Sequence, residues 1–257
     1  MIRVATWNVN SIKARLPLVL DWLRDGGPDV VLLQEIKCET EAFPTLEFRS
    51  LGYHVAAAGQ KTYNGVAVLA RGPVSVVRDR LPGAPEDEQA RYLEVDTLGL
   101  RVASLYVPNG NPVDTDKFAY KLAWLGRIRE HAASLLAEEL PFVLGGDWNV
   151  APDDADVHDP RAWAADALCR PESRAAFRRL LHLGLTDAFR ALHPEGGRYS
   201  WWDYRAGAFA RDEGLRIDHL LLSPQATDRL EDSGIDRKPR GWEKASDHTP
   251  VWCALKS

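Results

Sequence analysis

The stretch Phe142 to Pro152, FVLGGDWNVAP, constrains this chain more than any other, because a short apolar run ends in two glycines and then in Asp147, Trp148 and Asn149. Phe142-Val143-Leu144 is too short for a helix and reads as a buried strand, while Gly145 and Gly146 let the backbone approach something closely or turn. Side chains alternate along a strand, so Asp147 and Asn149 are expected on one face and Trp148 on the other. The stretch predicts a strand tip carrying a carboxylate and an amide. Taken alone, it also suits an Asx turn that merely closes a strand.

The same form recurs along the chain. Ile2 to Trp7 alternates as a strand and ends in Asn8, and Val30 to Leu33 is a continuous apolar run that delivers Gln34, Glu35 and Lys37. Leu100 to Val107 ends in Tyr106 and Asn109, Leu215 to Ser223 carries Asp218 and His219, and Asp247-His248 precedes the apolar run Val251 to Leu255. Further strands are expected at Tyr53 to Ala58, Gly65 to Ala70, Val74 to Val77 and Leu93 to Val95. Helical spacing predicts a helix capped by Ser11 and stopped by Gly26-Gly27, a long one within Asp114 to Leu140, and one over Glu172 to Leu183 ended by Gly184.

At 257 residues the chain fits one large α/β or all-β domain, over 1–257, better than two small ones, and such a domain buries about 70–75% of its unfolded surface. The amino terminus MIRVATWNVN has no apolar signal region, and no run reaches the ~18 apolar residues that would span a bilayer, so a cytoplasmic protein away from membranes is expected. Cys38, Cys169 and Cys253 are scattered and lack metal spacing, which argues for free buried thiols rather than disulfides. A net charge of -5 does not advertise nucleic-acid binding. Distribution says more, since Arg170 to Arg211 holds eight arginines against four acids.

Convergence of the polar strand tips would make one site. Four carboxylates and a histidine, without a second histidine or a cysteine at zinc spacing, favour a hard cation such as Mg²⁺ held by few carboxylates, water and substrate phosphate. Asparagine and tyrosine add donors to phosphate oxygens without adding charge. The set suits hydrolysis of a phosphodiester: a base activates water, a metal offsets phosphoryl charge, and a carboxylate orients an imidazole.

WNVN, LQEIK, YVPN, GGDWN, LRIDHLLLS and SDHTPVW, in that order, resemble the motif set of exonuclease III-type abasic-site endonucleases, within the endonuclease/exonuclease/phosphatase superfamily. The resemblance runs from Arg3 to Cys253, and YSWWDYR and GLRID narrow it. It implies a four-layer α/β sandwich, two packed mixed β-sheets flanked by helices, and a monomeric enzyme. It further implies that Glu35 binds Mg²⁺, with Mn²⁺ as substitute, that Asn8 helps to place metal and phosphate, and that Asp247 marks a second metal position. Asp147 would activate water, Asn149 hold phosphate or water, Tyr106 donate to a phosphate oxygen, and Asp218 orient His248 against the scissile phosphate. The alternative division, with His248 as base and Asp147 protonating the leaving group, stays open. Asn109 and Lys37 are further members of this shell.

The implied substrate is duplex DNA with abasic sites or 3′ ends. Trp201 would form an apolar wall for an extruded sugar, and Arg198, Arg205 and Arg211 would meet flanking phosphates. Leu215 departs from animal-type relatives, which place a tryptophan there. His219 adjoins Asp218 but points to the opposite strand face and is expected to be structural. Two competing readings are a superfamily phosphodiesterase acting on phospholipid or phosphoinositide, against which YSWWDYR speaks, and a non-catalytic DNA-binding module, against which Glu35, Asp147, Asp218 and His248 speak.

Overall fold

The structure, a computed structural model, describes residues 1–24 and 26–257. Twelve strands among these residues form two sheets of six. The first runs, in spatial order, β11 (Leu230–Ile235), β12 (Val251–Leu255), β1 (Ile2–Asn8), β2 (Val30–Gln34), β4 (Val66–Ala70) and β3 (His54–Ala58). The second runs β5 (Ser75–Arg78), β6 (Tyr92–Thr97), β7 (Leu100–Tyr106), β8 (Phe142–Asp147), β10 (Asp218–Leu222) and β9 (Thr186–Asp187). Each sheet is mixed: β1 is parallel to β2 and β7 to β8, while the other pairs are antiparallel. A parallel pair needs a crossover, supplied here by helices α1 (Ile12–Arg24) and α3 (Asp116–Ala137).

Side-chain alternation then fixes the layers. On β2, Val30 and Leu32 enter the core between the sheets, whereas Val31 and Leu33 face outwards with Val19 and Leu23 of α1 and Phe48 of α2 (Thr45–Ser50). On β8, Val143 faces the first sheet, while Phe142 and Leu144 pack with Trp124 of α3 and Phe177 of α5 (Pro171–Leu181). The result is helix, sheet, sheet, helix, the expected four-layer α/β sandwich. Each such fully buried aliphatic contributes about 1.5–3 kcal/mol. Short helices α4 (Pro160–Trp163), α6 (Ala188–Leu192) and α7 (Pro224–Thr227) lie in the connections.

The two glycines of β8 are required by close approach on different sides. A Cβ on Gly145 would fall 2.5 Å from side-chain carbons of Leu32 and Leu220, and one on Gly146 would fall 1.8 Å from the carbonyl oxygen of Leu105. Trp148 turns away from Asp147 as alternation requires; it is fully buried, and its Nε1 donates to the carbonyl of His219 at 3.1 Å.

The expected strand Leu215 to Ser223 is shorter than its apolar pattern. Leu215 makes isolated bridges to Trp201 and Val157, and the ladder begins only at Asp218. Between them Arg216 is buried, with Nε donating to Asp156 at 2.7 Å and Nη1 to Asp187 at 2.8 Å. His219, also buried, lies on the side away from Asp218, its Nε2 2.8 Å from the carbonyl of Val150. Strand β11, LEDSGI, was not expected, because as a half-exposed edge strand it lacks an apolar alternation. All three cysteines are buried and free, and no helix among the described residues is long and apolar enough to cross a membrane.

Candidate active site

Strand register lays the chemistry in one row. Tyr106 pairs with Asp147 across β7 and β8, and Asp147 pairs with Asp218 across β8 and β10. In the facing sheet, Asn8 at the end of β1 pairs with Gln34 at the end of β2, and Glu35 follows at once. The two sheets therefore present their strand ends to a single cavity of about 280 Å³ whose lining includes Glu35, Tyr106, Asn109, Asp147, Asn149, Asp247 and His248.

Asn8 joins the two sheets through its amide, which donates to Glu35 Oε1 at 2.8 Å and to Asp147 Oδ2 at 3.0 Å. On the other side of Asp147, its Oδ1 accepts from the backbone N–H of Asn149 at 2.9 Å. Asn149 has a left-handed backbone (φ 49°), as has Glu35 (φ 49°), so both leave their strands by a conformation that non-glycine residues adopt rarely and that clusters at functional sites. The Asn149 amide donates to the carbonyl of Val107 at 2.9 Å, and its oxygen accepts from Asn109 Nδ2 at 3.1 Å.

His248 stands between two carboxylates. Its Nδ1 lies 2.9 Å from Asp218 Oδ2 and its Nε2 lies 3.6 Å from Asp147 Oδ2. Ser200 Oγ donates to the same Asp218 oxygen at 2.6 Å, which fixes that carboxylate. Burial alone would lower the imidazole's pKa, but Asp218, Asp147 and Asp247 outweigh it and hold His248 well above its ordinary value. Burial, with Asp218 and Glu35 adding to it, raises Asp147 above the carboxylate range despite the opposing pull of His248. Burial raises Tyr106 as well, helped by Glu35 and Asp147, so the phenol stays a proton donor.

Among the described residues, Glu35, Asp147 and His248 each offer a ligand atom, all within 4.8 Å of one another. His248 Nδ1 is already engaged by Asp218, and the two carboxylates are hard oxygens that suit a hard divalent cation. Asp247 lies in the cavity wall outside that group: Oδ1 accepts from Asn10 Nδ2 at 3.1 Å and Oδ2 from Trp201 Nε1 at 3.0 Å. Lys37 Nζ is 2.8 Å from Glu35 Oε2 and donates to Asn10 Oδ1 at 2.6 Å, so a cation already flanks Glu35.

Of the RYSWWDYRAGAFAR segment, Trp201 alone lines the cavity, whereas Trp202 is fully buried. Arg211 is engaged in both carboxylate oxygens of Glu213, Arg198 lies 3.8 Å from Glu195, and Arg205 is exposed. Sequence reasoning missed Trp163, which meets Trp201 edge-on at 5.7 Å and lines the same cavity with Asn111, Asp166 and Leu168. The N-cap Asp159 before Pro160 was the available signal for a helix that carries Trp163 inwards. Ser200, Asn10 and Lys121 were also missed.

Residues 5–248 match the endonuclease/exonuclease/phosphatase family. The chain is 35% identical over 267 aligned residues to the exodeoxyribonuclease III of Haemophilus influenzae, covering 99% of this chain and 100% of that one. Two solved structures superpose over the full length of both chains: a 3′ phosphatase from Neisseria bound to a product DNA hairpin (41% identity, TM-score 0.98) and an AP endonuclease from Archaeoglobus fulgidus (37% identity, TM-score 0.95).

Proposed function

The chain belongs to the endonuclease/exonuclease/phosphatase family, and we propose that this DNA repair nuclease hydrolyses phosphate esters in duplex DNA, 5′ of abasic sites and at 3′ ends, with all of residues 1–257 acting as one catalytic unit. The observation that carries the reading is the row Tyr106, Asp147, Asp218 facing Asn8 and Glu35 across one cavity. The family depends on a divalent metal, and we take it to be Mg²⁺, with Mn²⁺ substituting. Glu35 would hold it, with Asp147 and Asn8 beside it; the metal supplies charge to offset the phosphoryl oxygens.

The residues divide the remaining work. Asp147, whose proton affinity is raised towards neutrality, takes the proton of the attacking water. Asn149 and Asn109 hold the phosphate and that water in line, and Tyr106 donates to a phosphate oxygen. His248, kept charged by Asp218, donates to the scissile phosphate, which makes it an electrostatic partner rather than a base. Of the two divisions of labour that the sequence left open, we therefore favour the one with Asp147 as base. Asp247 acts by holding Trp201 and Asn10. Trp201, with Trp163, walls the sugar pocket, and Arg198 and Arg205 are placed to meet flanking phosphates more freely than the paired Arg211. The phospholipid reading is not favoured, since the matched relatives are named as DNA enzymes.

End-labelled duplexes carrying an abasic site, a recessed 3′ end or a 3′ phosphate, incubated with Mg²⁺ beside a phosphoinositide, test this. Cleavage of DNA and none of the lipid is expected. Release of phosphate from the lipid alone would overturn the reading.

A further inference from the structure

Lys121 lies in the second turn of α3 with no exposed surface, an unusual place for an ammonium group. Its Nζ donates to the carbonyl oxygen of Asn109 at 2.9 Å and also to that of Asn149. These two residues belong to different loops, one after β7 and one after β8, and their side chains already join at 3.1 Å. The loop after β7 is fitted to the lysine stem: a Cβ on Gly110 would fall 2.6 Å from Lys121 Cδ. Among the described residues no carboxylate pairs with the ammonium. Burial pushes its pKa down to about 7 against the pull of Asp147 and Asp166, so the fold buries a costly amine where an apolar side chain would fill the same space, and in either protonation state that amine can donate to a carbonyl. What the amine does there is capture the carbonyl of Asn149 in its left-handed turn and tie it to Asn109.

We propose that Lys121 is a positioning residue for phosphate ester hydrolysis: from a rigid helix it sets the height of the Asn109–Asn149 pair over the phosphorus under attack. The inference rests on the nuclease reading and deepens it. Lys121 touches neither substrate nor metal in this scheme, and its effect passes through two backbone carbonyls. Displacing a positioned group by about 1 Å costs on the order of 100-fold in rate. Such a displacement weakens the transition state more than it weakens binding of the DNA duplex.

The test compares wild type, K121M, K121R and the remote helix-core variant L135A on a 3′-phosphate duplex and an abasic duplex with Mg²⁺, each at the same interval below its own Tm. K121M is expected to lose about 30- to 100-fold in kcat with KM within about threefold, and K121R to recover part of the loss. L135A, destabilised on the same helix, should keep kcat within about twofold. Side-chain amide resonances of Asn109 and Asn149 in DNA-free protein should shift in K121M and stay in place in L135A. Should K121M fail to fold, K121Q carries the same comparison. A K121M enzyme with near-native kcat, a loss confined to KM, equal losses in L135A, or unmoved asparagine resonances would each overturn the inference while the nuclease reading stands. A wild-type protein inert on every DNA substrate overturns the nuclease reading instead, and the asparagine resonances then still decide whether the clamp exists.

Discussion

Asp147 and Asp218 are direct neighbours across the β8–β10 ladder, and both address one imidazole from opposite ends, at His248 Nε2 and Nδ1 respectively. Their environments differ. Asp218 is fixed by Ser200 Oγ and the imidazole, while Asp147 is shared among Asn8, Asn149 and the open cavity. Two carboxylates one rung apart thus take separate tasks.

Asp147→Asn should lose about 10²–10⁴-fold or more in turnover, because an amide keeps the shape but accepts no proton from water. Its thermal stability should be unchanged or higher, since a buried carboxylate held above its ordinary pKa resists ionisation when folded. Single-turnover cleavage and a melting curve measure the two. Near-native turnover would show that another group is the base.

Asp218→Asn should cost less, about 10- to 100-fold, by freeing His248 to turn and to lose its proton. In metal-free wild type, nitrogen chemical shifts should show His248 charged well above pH 6.5, the ordinary histidine value. Its folded pKa is raised, so the stabilisation from that charge is full below the unfolded value and disappears as pH rises through the folded one. In Asp218→Asn the titration should move down.

Excess EDTA should abolish activity, with recovery on adding Mg²⁺ or Mn²⁺, because Glu35 and Asp147 otherwise repel the phosphate they must approach. Full turnover by protein shown to be metal-free would refute the assignment.

Trp201→Ala should reduce abasic incision about tenfold more than degradation of an intact recessed end, if an extruded sugar packs on that ring. The ring is half-buried, unlike the fully buried Trp202, so the melting temperature should fall less than in Trp202→Ala. Equal loss of both activities together with a large drop in Tm would mean that Trp201 is only packing.

Arg216→Met should destabilise the fold by about 3–5 kcal/mol, since it removes the arginine of buried Asp187 and leaves buried Asp156 with Arg190 alone. Burial alone would raise Asp156 and Asp187, but Arg216, joined by Arg190 at Asp156 and by His219 at both, outweighs it and holds both below their ordinary values. Their stabilisation is full above about pH 4 and is lost as pH falls through the folded pKa values. Acid denaturation curves should therefore be flatter in the variant over that range.

Much of the site was legible because its residues follow apolar strands in short contiguous motifs, where Glu35, Tyr106, Asp147 and Asp218 stand at the strand ends. What was hidden came from side chains that act across the fold. Trp163 enters the cavity from the end of a four-residue helix followed by a turn that Asn111 and Asp166 hold, Lys121 sits on an otherwise amphipathic helix, and Ser200 reaches Asp218 from eighteen residues away. The early end of the apolar run before Asp218 was hidden for the same reason: Arg216 is held by Asp156 and Asp187, neither of them near it in sequence.

The pairing of β12 with β1 has a consequence in time. The first strand of the chain becomes an interior strand of its sheet only when β12 docks beside it, and the turn into β12 carries Asp247 and His248. During synthesis Glu35 and Asp147 emerge long before His248, so Asp147 gains its imidazole neighbour, and the first strand its antiparallel partner, only when the last strand of the chain has docked.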